Sequence, residues 1–123
     1  MVDMASRLER YEAGYRALGA RLGAVGFISP GSLVSRTTSC GKPGCHCQAD
    51  PPQRHGPYFQ WSRAVSGRTV SRRLSEAEAG LYREWIDNRR QLEAILEEMY
   101  DVSAAAGGIL LDRVKVAARS KRR

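Results

Sequence analysis

Between Met4 and Val25 the apolar and aromatic positions Met4, Leu8, Tyr11, Tyr15, Leu18, Leu22 and Val25 recur at alternating spacings of four and three. That alternation is the seam of an amphipathic helix, about 33 Å long for ~22 residues. Gly14, Gly19 and Gly23 weaken it, Gly26 ends it, and Ser29-Pro30-Gly31 reads as a turn. A second seam runs Leu81, Trp85, Asn88, Leu92, Ile95, Met99, Val102. Ser75 and Glu78 form a capping box ahead of it, with Glu76 and Glu78 suiting a positive helix start. The pattern predicts a helix from Glu76 to about Ser103, a break or hinge at Gly107-Gly108, and a short helix from Ile109 to about Ala118. Lys121-Arg122-Arg123 then frays as a basic tail.

Between the helices the period changes. Ser32 to Thr38 is short and rich in β-branched residues, and Pro57 to Val65 and Arg68 to Leu74 read as two strands joined at Ser66-Gly67 in a two-residue hairpin. The fold class is therefore α+β: an N-terminal helix over 1–27, a three-stranded antiparallel β module with a cysteine-rich loop over 31–75, C-terminal helices over 76–118 and a basic tail over 119–123. Two helical seams imply an antiparallel pair or a homodimer, and Asn88, polar within an apolar seam, favours self-association.

At 123 residues the chain is the length of one domain. It shows neither a signal peptide nor the ~20 apolar residues that cross a bilayer, so a soluble, cytoplasmic protein is expected. Net charge is +7, and it is segregated. Residues 31–74 hold seven Lys and Arg against the single carboxylate Asp50, whereas residues 75–112 hold three against nine carboxylates. Residues 113–123 hold six cations and no acid. Such blocks make a localised positive field suited to phosphates. Seventeen of the 20 basic residues are arginine, whose planar fork matches phosphates and base edges.

Cys40, Cys45 and Cys47, an odd number crowded together, make a poor disulfide framework and a better metal or reduced-thiol cluster. With His55 they supply three thiolates and one imidazole, the usual complement of a structural zinc ion. Gly41, Pro43 and Gly44 let the loop fold back, Pro51-Pro52 reverses the chain to bring in His55, and His46 points away. The alternative is that the thiols stay reduced and pack as small apolar groups. A catalytic cysteine is disfavoured because no acid lies near to orient a histidine, and an enzyme is not expected.

A turn at Ser66-Gly67 pairs residues whose numbers sum to 133. One face then carries Phe59 with Leu74, Trp61 with Arg72 and Arg63 with Val70; the other carries Gln60 with Arg73, Ser62 with Ser71 and Ala64 with Thr69. The first face packs on a helix, Arg72 lying over Trp61, and the second approaches a nucleic-acid groove. Arg36, Lys42, Arg63, Arg68, Arg72 and Arg73 are the candidate phosphate contacts, and Gln60, Ser62, Thr69 and Ser71 the candidate base contacts.

The run from Gly31 to Cys47, the H-G-P-Y at His55 to Tyr58 and the S-G-R-T-V-S-R-R-L hairpin resemble a small bacterial family with a cysteine motif, domain-of-unknown-function family 6788, over about residues 28–100. The resemblance implies an accessory role near transposases and recombinases, hence a mobile element and a recombinase or transposase partner. The hairpin followed by a capped helix is also similar in layout to the arm-binding domain of tyrosine recombinases, whose three-stranded sheet reads the major groove. The expected function is thus DNA binding through the sheet; the alternatives are an adaptor that recruits a protein through its helical seams, or an RNA-binding protein.

Overall fold

The computed structural model of the chain describes residues 3–50 and 53–121. The expected reversal at Pro51-Pro52 and the tail residues Arg122 and Arg123 lie outside them. The elements are α1 (Met4–Gly23), β1 (Ser32–Thr38), a 3-10 turn (His46–Gln48), β2 (His55–Val65), β3 (Arg68–Leu74) and α2 (Glu76–Lys121). The strands form one antiparallel sheet in the order β1-β2-β3, so the α+β architecture is the expected one. No helix among the described residues is long and apolar enough to cross a membrane. The chain divides into two compact units, Gly26–Arg89 and Met1–Val25 with Arg90–Arg123.

In the first unit, Ser66 and Gly67 turn the hairpin with φ of 49° and 77°. Two left-handed residues match the twist of the strands they join. The register follows: Phe59 opposes Leu74, Trp61 opposes Arg72 and Gln60 opposes Arg73. β1 adds Leu33 opposite Trp61 and Ser35 opposite Phe59. The early turns of α2 cover the apolar face, burying Leu74, Ala79 and Ile86. The Trp61 ring lies 5.2 Å from that of Tyr82, which lies 5.1 Å from Trp85. Tyr82 thus takes the place over Trp61 that the pairing suggested for Arg72. Arg72 instead acts on Glu78, whose carboxyl sits below its ordinary range chiefly because the Ser75 N–H donates to it, with the Arg72 charge adding to the effect. The capping box is complete, since the Glu78 N–H donates to Ser75 Oγ at 3.2 Å and the Ser75 N–H to Glu78 Oε1 at 3.0 Å.

The segment before β1 is stapled to the same helix. The Ser29 N–H donates to the Trp85 carbonyl at 3.2 Å, Asn88 Nδ2 to the Phe27 carbonyl at 2.8 Å, and Arg89 Nη1 to the Gly31 carbonyl at 3.2 Å. Trp61 Nε1 donates to the Pro30 carbonyl at 2.8 Å. Asn88, read in sequence as a register-setting residue between copies, therefore has a partner within its own chain. Gly31 has φ of 91°, and a Cβ there would run into the Ser62 carbonyl and the Trp61 indole.

In the second unit α1 lies antiparallel to the later turns of α2. Met4 shares a cavity wall with Ile109, Tyr11 with Val102, and Val25 with Ile95. Leu8, Leu18, Ile95 and Ile109 are buried between them. Arg21 meets Glu98 at 3.2 Å, an exposed pair of little energetic weight.

Two helical expectations are corrected. α2 does not break at Gly107-Gly108 but continues for 46 residues, because glycine, unlike proline, keeps its N–H and costs only about 1 kcal/mol per residue within an otherwise cooperative helix. The second seam is also not one stripe. Leu81 is 50% exposed while Ala79 and Ile86 are buried, since the first turns of α2 face a sheet rather than a helix.

Two glycines should respond oppositely to alanine. Gly31→Ala, at a left-handed φ without room for Cβ, should lower unfolding stability by roughly 1–3 kcal/mol. Gly80→Ala, in α2 with nothing within 4 Å of the new methyl group, should raise it by about 1 kcal/mol. Urea midpoints at constant m-value would show both.

Candidate metal centre and the polar face of the sheet

β1 ends at Thr38 and β2 begins at His55, and the cysteines occupy the loop between. Gln48 N–H donates to the Cys45 carbonyl at 2.9 Å and Ala49 N–H to the His46 carbonyl at 3.2 Å, closing the turn that carries Cys47 inward. The Gln48 side-chain amide donates to the Cys40 carbonyl. On the strand side, Thr38 pairs with His55 after a register shift between Arg36 and Thr38. Gly56 permits that shift: its φ is 117°, and a Cβ would lie 2.9 Å from the Arg36 carbonyl oxygen. A Gly56–Pro57 cis peptide follows.

These turns bring the four expected residues together. The ligand atoms of Cys40, Cys45, Cys47 and His55 all lie within 4.8 Å of one another. Cys40 Sγ is 3.4 Å from Cys47 Sγ, and Cys45 Sγ is 3.2 Å from His55 Nε2. Sulfur at about 2.3 Å and nitrogen at about 2.1 Å from a tetrahedral ion would be separated by similar distances, so this cluster can hold a metal ion. Cys47 is buried, and the other three are half-buried.

The shell around the sulfurs favours thiolate at Cys47. The Cys40 N–H donates to Cys47 Sγ at 3.3 Å, the main reason its pKa falls below the ordinary thiol value. At Cys40 the Lys42 N–H pulls the pKa down, but the neighbouring Cys47 and Cys45 thiols and burial outweigh it and leave the value raised. Two adjacent thiols that resist joint ionisation are what a divalent cation relieves. His46 stands outside the four: its ring is exposed, edge-on to His55 at 4.8 Å, with Nδ1 3.9 Å from Cys45 Sγ.

The ten candidate nucleic-acid residues separate. By strand alternation Arg36, Gln60, Ser62, Thr69, Ser71 and Arg73 share the face away from α2, whereas Arg63, Arg68 and Arg72 share the α2 side and Lys42 lies in the cysteine loop. On the first face Ser62 Oγ and Ser71 Oγ are 3.0 Å apart. A groove of about 410 Å³ is lined there by Arg36, Thr38, Tyr58, Gln60, Ser71 and Arg73. The Arg73 guanidinium carbon lies 3.6 Å over the centre of the Tyr58 ring, a stack that orients the cation while Arg73 stays exposed. Strand alternation sets Tyr58 opposite in face to Trp61 and so on this side, but sequence reasoning did not count it among the contact residues; the signal for its stack is that it sits diagonally from Arg73 in the register that pairs Gln60 with Arg73.

The model of a family described as a domain of unknown function (DUF6788) matches residues 2–84. That span takes in α1, the whole sheet, the four clustered ligands and the first turns of α2. No curated protein and no solved structure matches the chain.

The donor set has a spectroscopic signature. Titrated with Co²⁺ as a probe, the chain should take up about one ion per molecule, with sulfur-to-metal charge-transfer absorption and tetrahedral d–d bands. Cys47→Ser and His55→Ala should weaken or abolish the bands, while His46→Ala should leave them intact.

Proposed function

The chain belongs to the DUF6788 family, and we propose that this member is a DNA-binding accessory protein whose metal-clamped sheet lays its polar face on the duplex. The observation that carries the reading is the grouping of Arg36, Gln60 and Arg73, one from each strand, around a single shallow groove. It lies in a stretch, residues 31–74, with seven cations and only Asp50 against them. The outer strands of a three-stranded sheet are about 10 Å apart, a width that enters a major groove of about 12 Å. Arg36 and Arg73 contact phosphates, and Gln60, Ser62, Ser71 and Thr69 reach base edges. Lys42 adds a phosphate contact from the loop, and Arg63, Arg68 and Arg72, on the α2 side, contribute only to the long-range field.

The metal is zinc, which three thiolates and an imidazole prefer, and its role is structural, since four protein ligands leave no open position for chemistry. It fixes the ends of β1 and β2 beside Arg36 and Tyr58. An adaptor that works through α1 and α2 alone, and an RNA-binding protein, are the readings that the following measurement separates from this one.

Binding of labelled random duplex followed by anisotropy against salt should fall steeply, as counterion release requires. Arg36→Ala with Arg73→Ala should weaken binding to every duplex and flatten the slope of log K against log salt by about 0.9 per lost phosphate contact. Arg63→Ala with Arg72→Ala should do far less. Gln60→Ala should cost roughly 1–3 kcal/mol on a selected site and little on random DNA. Parent-like binding by the Arg36/Arg73 variant would refute the sheet-face assignment; a preference for duplex or single-stranded RNA would refute DNA as the target.

A further inference from the structure

The polar face of the sheet carries one side chain that neither charge nor hydrogen bonding accounts for. Val34 alternates with Ser32 and Arg36 along β1 and pairs with Gln60, which pairs in turn with Arg73. The three form one row across the sheet, on the face away from α2. Ala64 apart, Val34 is the only aliphatic side chain among the described residues of that face, and it is 40% exposed. A β-branched residue suits an edge strand, but threonine meets that need in contact with water, as the exposed Thr37 and Thr38 do on the same strand.

The rest of the row says what an exposed valine can meet there. Gln60, half-buried in the middle strand, lines the groove beside Arg36 and Arg73, and its amide makes no hydrogen bond among the described residues. A free amide sets a donor and an acceptor side by side, the pair that matches adenine N6 and N7 in the major groove. The thymine opposite such an adenine presents its C5-methyl group there, which an aliphatic side chain can cover and a polar one cannot. Neighbouring strands stand about 4.8 Å apart and successive base pairs about 3.4 Å, so Val34 and Gln60 fall on one base pair or on adjacent ones. Arg73, stacked on Tyr58 at 3.6 Å, closes the row on the opposite outer strand, where a phosphate backbone bounds the groove.

We propose that Val34 reads the thymine methyl group of an adenine–thymine step whose adenine is taken by Gln60. The contact selects DNA over RNA, because uracil lacks that methyl group. Val34 can act in this way only if the sheet face is the DNA surface, the reading on which this one rests.

Sites enriched from a random duplex pool by the full zinc-loaded chain should fix at least one adenine–thymine position. Replacing thymine by deoxyuridine at that position removes the methyl group alone, and anisotropy should show binding weakened about fourfold, the change that burial of one methyl or methylene group carries. Val34→Ser should lose the difference between the thymine and uracil duplexes, whereas Val34→Ile should keep it. Each protein is compared with itself on two duplexes, so a general loss of affinity does not mimic the result. An enriched pool without a fixed adenine–thymine position would overturn the contact while leaving DNA binding in place. So would a parent chain indifferent to uracil, or an undiminished uracil penalty in the Val34→Ser protein. Failure to bind any duplex in a salt-dependent manner would instead overturn the sheet-face reading itself, and this contact with it.

Discussion

Trp61 is the side chain on which the sheet depends. A three-stranded sheet of this size cannot hold its own apolar face dry, and Trp61 supplies the largest surface on that face, stacked against Tyr82 at the start of α2. Its indole N–H needs an acceptor once half-buried and finds the Pro30 carbonyl. One residue therefore joins the middle strand, the segment entering β1 and the helix leaving β3. Gly31 must be bare beside it, because the indole and the Ser62 carbonyl occupy the space that a Cβ would take. The concentration of apolar contact on one side leaves the other side free to be polar. That is why Arg36, Gln60 and Arg73 stand together without conflicting with the core.

Much of this unit was legible in the sequence, for local reasons. A two-residue turn at Ser66-Gly67 leaves one register available, and the residue-by-residue pairing from Phe59–Leu74 to Val65–Arg68 follows from it. The Ser75–Glu78 box needs only four consecutive residues. The clustering of Cys40, Cys45, Cys47 and His55 was legible from residue type and turn content. What was not legible depended on partners distant in sequence. Leu81 and Asn88 fit a heptad seam as letters, but the first turns of α2 meet a sheet and the Phe27 carbonyl, so Leu81 turns to solvent and Asn88 serves its own chain. Gly107-Gly108 carries the same letters whether a helix stops or continues, and the cooperative turns on either side decided the outcome. The faces of Arg63, Arg72 and Arg73 were legible from the pairing, but all three were counted as phosphate contacts on charge alone, although the first two stand on the α2 side.

The two connections within the sheet differ in kind. β2 and β3 are joined by two residues whose backbone conformation alone closes the turn, whereas β1 and β2 are joined by the cysteine loop, whose ends meet beside the Cys40, Cys45, Cys47 and His55 cluster. A loop of that length pays a substantial closure entropy, and coordination bonds to a metal held by the cluster would offset it reversibly. Such a cross-link obeys mass action: its contribution to folding grows with the logarithm of free metal concentration over the dissociation constant. With a metal held there, the integrity of the sheet edge nearest Arg36 and Tyr58 would be set by the chemical potential of the surrounding metal pool as well as by the sequence.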